Sequence, residues 1–206
     1  MQSENPPVAR PASFTDWMRS QFKGVLQAVG GFFNRLGITP DAMTLMGLLG
    51  STLGAALLAL GFIPAGGWVI LLSGATDAID GTMARLRGKT TRFGAFLDST
   101  TDRLEELFVF GALAVYFALG SNAAGVAAAF AAAVGSVMVS YTKARAESLG
   151  FECKVGLLTR MERYLVLCPL LILNLPFWGA VAVAVLGGFT ALQRIWHVYS
   201  LSRRDA

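Results

Sequence analysis

The sequence predicts an all-α integral membrane protein, with six transmembrane helices behind an N-terminal interfacial amphipathic helix. Three observations lead there. Of 206 residues, 54% are hydrophobic and only 15% charged, with mean hydropathy +0.57, a balance that a soluble domain of this length does not carry. The apolar runs are long and do not alternate, and lipid offers no partner to an open strand, so they read as helices. All 17 Lys and Arg residues fall in four places: the N-terminal segment, residues 85–103, residues 143–163 and the C-terminal end.

Residues 1–12, within "MQSENPPVARPASF", read as a flexible polar tail with no apolar core of a signal peptide. Residues 13–35 place Phe14, Trp17, Met18, Phe22, Val25 and Leu26 at helical spacing, with Asp16, Arg19 and Lys23 on the other side. That is the pattern of a helix lying in the membrane interface. Residues 36–206 form the membrane domain, with spans at about 43–62, 66–86, 93–119, 122–147, 160–176 and 178–200. The connectors "GFIPAGG", "LGSNAAG" and "NLPFWG" contain no Lys or Arg. With six spans, the four basic regions share one side, which the positive-inside rule makes cytoplasmic together with both termini.

The formal net charge is +4. Its distribution follows topology and anion binding, which argues against nucleic acid as a partner. Cys153 and Cys168 form neither metal spacing nor a disulfide framework and read as reduced thiols. Trp68, Phe177, Trp178 and Trp196 sit at span ends as an aromatic belt. His197, the one histidine, lies near Trp196 and Tyr199 and reads as interfacial. The run "AAGVAAAFAAAVGS" suits tight helix packing, including a homodimer face.

The stretch "DAIDGTMARLRGKTTRFGAFLDSTTD" places four aspartates between two apolar runs. In the second span Asp77, Asp80, Gly81, Ala84 and Arg85 recur at three- and four-residue steps and share a face. In the third span Gly94, Asp98 and Asp102 do the same. At about 1.5 Å per residue, Asp80 and Asp98 each lie roughly 8 Å inside their helix ends, so a short antiparallel connection brings all four carboxylates to one level. Four such groups in a partly apolar place need a compensating cation. Oxygen ligands without His or Cys point to a hard ion, Mg²⁺ first, with Mn²⁺ or Ca²⁺ as alternatives. The structural alternatives are salt bridges to Arg85, Arg87, Arg92 and Arg103, or helix ends emerging into water. Gly81, Ala84 and Gly94 suit either close helix packing or room for a ligand.

These residues and spacings resemble the signature of the CDP-alcohol phosphotransferases: D-x2-D-G-x2-A-R, eight residues, then G-x3-D-x3-D. Every fixed position matches, and the six-span layout with an interfacial helix is similar too. The resemblance implies attack by an acceptor hydroxyl on the β-phosphorus of a CDP-linked lipid such as CDP-diacylglycerol, with CMP leaving. It implies a pair of divalent ions on Asp77, Asp80 and Asp98, with Asp102 taking the acceptor's proton and also touching a metal. Gly81, Ala84, Arg85, Thr91 and Gly94 look like the CDP-lipid site, as do Asp41 and Thr44 of "TPDAMT", for which a helix N-cap at Asp41 is the structural alternative.

The acceptor is argued from the second basic cluster. Lys143 and Arg145 end the fourth span, Arg160 and Arg163 begin the fifth, and Arg194 lies inside the sixth, where a guanidinium needs an anionic ligand, or Glu147 or Glu162, as partner. A phosphate facing such side chains is held by charge-assisted bonds, which favours a soluble phosphorylated alcohol. Arg160 and Lys154 read as topology signals. Within the family, "RFGAFLDSTTDR", "SYTKARAE", "ER" and "QR" look most like the phosphatidylinositol-phosphate synthases, which assigns Lys143, Arg145, Arg163 and Arg194 to the phosphate of inositol phosphate. Glycerol phosphate is the alternative acceptor, though "LDSTTDR" differs from the usual "LDPxADK" of the phosphatidylglycerophosphate synthases. Outside this chemistry the alternatives are a divalent-cation or proton-coupled transporter and a membrane prenyltransferase. Against the first, the carboxylates cluster at one surface; against the second, two separated aspartate-rich motifs are missing.

Overall fold

The structure, a computed structural model, describes residues 14–88, 91–156 and 158–203, with the backbone alone for residues 14–21. The expected tail 1–12, and the side chains of Phe14, Asp16, Trp17, Met18 and Arg19, lie outside the described residues. Within them the fold is helical: α1 (Phe14–Arg35), α2 (Pro40–Ala59), α3 (Ile63–Leu86), α4 (Arg92–Leu119), α5 (Ala123–Ser148), α6 (Arg160–Ile172) and α7 (Pro176–Ser202).

Helix starts follow local chemistry. Thr39 caps α2, its hydroxyl accepting from Ala42 N–H, and Pro40 occupies the first turn, where its missing N–H costs nothing. The cap is therefore Thr39, and Asp41 lies one step inside the first turn. Asn122 caps α5 through Gly125 N–H at 2.9 Å. Gly88 follows the end of α3 with φ +62°, a left-handed conformation that glycine adopts at low cost.

Packing joins α2 to α3 and α4, α4 to α5, α5 to α7, α3 to α6, α6 to α7, and α1 to α3. The core is Leu58, Ile70, Leu113, Phe117, Ala129, Ala132, Leu171 and Val183. Small residues set the closest approaches: a Cβ on Gly66 would lie 2.9 Å from the Gly54 carbonyl, and one on Gly135 would lie 3.4 Å from Gly188 N. Ala129, Ala132 and Gly135 of the alanine-rich run are thus spent on packing inside the chain. Outward positions are apolar instead, with Leu49, Leu60, Leu72, Leu119, Phe130, Leu173 and Leu192 exposed. A soluble monomer would not present so large an apolar surface, whereas hydrocarbon matches it.

Among the described residues three helices, α2, α5 and α7, are long and apolar enough to cross a membrane by length and composition. The carboxylates and arginines of α3 and α4 lower their hydropathy. The fifth span, expected at 160–176, is a shorter helix. α6 runs 13 residues with Pro169 inside it, roughly 20 Å at 1.5 Å per residue and short of a ~30 Å hydrocarbon core.

Hydrogen bonds gather the charged helix ends at one end of the bundle. Arg87 after α3 donates to Asn34 of α1 and to the Ile38 carbonyl, each at 2.6 Å. Thr44 near the start of α2 meets Asp80 near the end of α3. Arg160 at the start of α6 meets Asp77 of α3 and Asp102 of α4, and Arg194 of α7 reaches Val139 of α5.

Candidate active site

Two helices bring the aspartates together. Asp77 and Asp80 lie on the last two and a half turns of α3, and Asp98 and Asp102 in the first three of α4. Asp98 is within electrostatic reach of Asp77, Asp80 and Asp102. A cavity of about 430 Å³ opens beside them, walled by Asp77, Asp98 and Asp102 with Gly74, Arg160 and Tyr164. Asp80 is buried and accepts a 2.7 Å hydrogen bond from the Thr44 hydroxyl. Thr44→Val removes the side-chain donor of that carboxylate and is expected to cost about 1–3 kcal/mol of stability, read from thermal unfolding in detergent.

Glycines let other groups close in. A Cβ on Gly94 would stand 3.1 Å from Asp41 Oδ1 and 3.0 Å from Thr91 Oγ1, so Asp41 packs over the start of α4. Thr91 caps that helix, accepting from Gly94 N–H at 2.9 Å. On α3, a Cβ on Gly81 would lie 3.4 Å from Arg85 Nη1, and Arg85 Nη2 donates to Thr82 Oγ1 at 2.9 Å. Ala84, also on α3, is half-buried. Gly47 of α2 faces the cluster as well, because a Cβ there would sit 3.6 Å from both Asp77 Oδ1 and Glu105 Oε1.

The main cation beside these carboxylates is not among the arginines weighed from the sequence as their partners, of which Arg103 lies 3.6 Å from Asp102. It is Arg160, which the sequence reading took for a topology signal. Its Nη1 donates to Asp77 and to Asp102, and its Nη2 donates to Glu105. Its guanidinium also lies 5.3 Å from the centre of the Tyr164 ring, within cation–π range. Glu105, 1% exposed, was missed. An adjacent glutamate pair inside a predicted span was the available signal, since intramembrane carboxylates are functional or paired. Its neighbour Glu106 pairs with Arg163 at 2.6 Å.

The expected acceptor-phosphate residues separate into two kinds. Lys143 and Arg145 are exposed on the last turns of α5, with Glu147 3.8 Å from Lys143. Arg163 and Arg194 are buried, and each is already engaged by groups of the chain itself. Arg163 is 2% exposed and holds Glu106 and the Leu158 carbonyl, the latter at 3.1 Å. Arg194 donates to the carbonyls of Val155, at 2.9 Å, and Val139. Carbonyl dipoles meet the guanidinium directly, and Glu147 and Glu162, expected from the sequence as its partners, lie within electrostatic reach of it. Glu162 also caps α6, accepting from Thr159 N–H. Gly156, with φ +128°, passes so close that a Cβ would lie 3.1 Å from Arg194 Nε, so residues 155 and 156 are pinned to α7. His197 adds a contact at 3.2 Å to the Glu152 carbonyl. None of the four basic residues is in the wall of the aspartate cavity among the described residues.

Among the described residues no three His, Cys, Asp or Glu side chains are set around one point as a ready metal cage; Arg160 stands between Asp77 and Asp102. The donor set nonetheless fits a hard divalent cation. The ligands are all oxygen, five carboxylates face two guanidiniums, and Asp98 makes no ion pair among the described residues. Such oxygens take Mg²⁺, Mn²⁺ or Ca²⁺.

Known proteins place this arrangement. A phosphatidylinositol phosphate synthase of Cutibacterium acnes is 36% identical over 86% of this chain and 93% of its own length. A crystal structure of the phosphatidylinositol phosphate synthase PgsA1 of Mycobacterium tuberculosis with CDP-DAG bound superposes with a TM-score of 0.78 at 32% identity, covering 85% of this chain and 94% of that one. The same enzyme in complex with manganese and citrate gives a TM-score of 0.78 at 32% identity, covering 84% and 88%. The chain is thus an integral membrane protein of the kind those enzymes represent. With residues 37–194 matching the profile of the CDP-alcohol phosphatidyltransferases, it belongs to that family.

Proposed function

We propose that the chain transfers the phosphatidyl group of CDP-diacylglycerol to a hydroxyl of inositol phosphate, releasing CMP. The observation that carries this reading is the cavity of about 430 Å³ walled by Asp77, Asp98 and Asp102 at the charged end of the bundle. A lipid held between helices and a soluble alcohol can both reach that level. A relative named phosphatidylinositol phosphate synthase shares 36% identity over 86% of the chain.

In this reading the acceptor oxygen forms a bond to the lipid-bearing phosphorus as the bond from that phosphorus to the CMP oxygen breaks. Asp102, which lines the cavity, takes the hydroxyl proton. Asp77, Asp80, Asp98 and Asp102 would hold two Mg²⁺ ions, with Mn²⁺ as an alternative. When bound, such ions neutralise the pyrophosphate and the departing CMP. Asp41, Thr44, Gly81, Ala84, Arg85, Thr91 and Gly94 form the CDP-lipid site, where the small residues admit the cytidine and Arg85 meets phosphate oxygens. Lys143 and Arg145, exposed at the end of α5, receive the acceptor's phosphate. Arg163 and Arg194 act as struts that hold the neighbouring segment.

The basic helix ends support a cytoplasmic site and cytoplasmic termini, with α2 to α7 as six spans, α6 a short one that a locally thinner bilayer accommodates, and α1 in the interface. The exposed apolar groove between α4 and α5, lined by Gly111, Ala114, Ala127 and Phe130, supports a homodimer. Purified protein with CDP-diacylglycerol and Mg²⁺ is expected to release CMP with inositol phosphate, and not with glycerol phosphate, free inositol or serine. Release with glycerol phosphate alone overturns the acceptor. No CMP with any acceptor overturns the reading of the site.

A further inference from the structure

We propose that Arg160 is a built-in counter-cation of the carboxylate cluster, exchanged for a divalent ion when the site loads. The inference rests on the reading of Asp77 and Asp102 as ligands of that ion.

One guanidinium spans three carboxylates from two helices: Asp77 on α3, and Asp102 and Glu105 on α4. Asp77 Oδ2 and Asp102 Oδ1, turned onto Arg160, are not free to close on a metal at about 2.0–2.1 Å, and an ion on the two remaining oxygens would stand against the like charge of the guanidinium. Arg160 and a divalent ion are therefore alternatives on Asp77 and Asp102. The exchange favours the ion once its concentration is high enough, because it carries twice the charge and approaches more closely. Arg160 then sets how high that concentration must be.

The surroundings let the side chain leave without stranding its charge. Arg160 is the first residue of α6, where the helix dipole opposes a cation, so α6 itself does not retain the guanidinium among the aspartates. Its side chain is 18% exposed and borders the cavity, which gives it a path of small movement. Glu105, absent from the signature, still pairs with Nη2, and the Tyr164 ring lies alongside. These two contacts keep the displaced guanidinium compensated and close to the site. Asp77, Asp102 and Glu105 are thereby held together before metal arrives, since unpaired carboxylates here would drive α3 and α4 apart.

The test measures Mn²⁺ binding to the full chain in detergent, from the electron paramagnetic resonance signal of the unbound ion. Saturable binding by the unaltered protein, weakened in Asp102→Asn, establishes the site. Arg160→Gln is then expected to tighten Mn²⁺ binding by about tenfold, as loss of a competitor worth about 1.4 kcal/mol would. Its melting temperature in EDTA is expected to fall, with the gap to the unaltered protein narrowing as Mn²⁺ is added. Arg160→Lys keeps the charge but loses the fork, and is expected to give an intermediate affinity even where the glutamine variant fails to fold. Unchanged or weaker Mn²⁺ binding in either variant, beside normal binding by the unaltered protein, overturns the exchange and leaves the metal site standing. No saturable Mn²⁺ binding by the unaltered protein overturns the metal site, and the exchange with it.

Discussion

Asp102→Asn is expected to lower CMP release by about 10²–10⁴-fold, the range over which a positioned general base acts, while the protein stays folded and still binds CDP-diacylglycerol. The substitution is nearly isosteric. Its amide oxygen can still accept from Arg160, which the native carboxylate does now, so the link between α4 and α6 survives. What disappears is the negative charge and the capacity to take a proton from the acceptor hydroxyl. The measurement is turnover at saturating lipid and acceptor, beside lipid affinity and melting temperature. Turnover within a few fold of the unaltered protein removes Asp102 from the role of base.

Metal concentration separates the two duties proposed for this carboxylate. A residue that only holds an ion loses affinity for it when neutralised, and excess Mg²⁺ restores the rate by mass action. A base cannot be restored that way. Asp77→Asn is therefore expected to recover partly as Mg²⁺ is raised, and Asp102→Asn to remain slow. Equal recovery in both would make Asp102 a ligand and nothing more.

The aspartates were legible because the property that matters is local. Three- and four-residue steps on one helix fix a shared face, and a short reversal fixes the level of the next helix. The helix starts were less legible: spans drawn from hydropathy begin at 43 and 66, whereas α2 and α3 begin at Pro40 and Ile63, because caps and prolines, not apolar character, fix the first turn. Arg160 was not legible. Its partners lie 83, 58 and 55 residues away, and no periodicity within α6 says which helix it will face. Hydropathy also treats every charge as a break in a span, so Glu105, Glu106 and Arg163 lowered the apolar signal without revealing that they pair. The same blindness produced a fifth span longer than α6. The apolar run continues past Ile172, but Pro169 removes a helical donor and the backbone turns at Asn174, with φ +59°. Arg194 was correctly marked as needing compensation, yet backbone carbonyls carry no sequence label, so Val139 and Val155 could not be anticipated.

Arg163→Ala is expected to destabilise the protein by about 3–5 kcal/mol, the cost of leaving one partner of a buried ion pair alone. Arg163 and Glu106 are each 2% exposed, and their contacts of 2.6 and 2.7 Å leave no space for solvent to take over. Replacing both charges, as Arg163→Met with Glu106→Leu, should recover most of that loss, because the remaining cavity is filled and no charge is stranded. The Leu158 carbonyl, which also accepts from Arg163, accounts for the part not recovered. The double variant then decides what Arg163 does in the reaction. A strut acts on the acceptor only through the segment it holds, so once stability returns, the Michaelis constant for inositol phosphate should return with it. A direct contact to the acceptor phosphate would leave that constant raised by about tenfold or more, since at least about 1.4 kcal/mol of binding would be missing, with the constant for CDP-diacylglycerol unaffected. The geometry favours the strut: a guanidinium already bonded to a carboxylate and a carbonyl would have to break both to meet a phosphate.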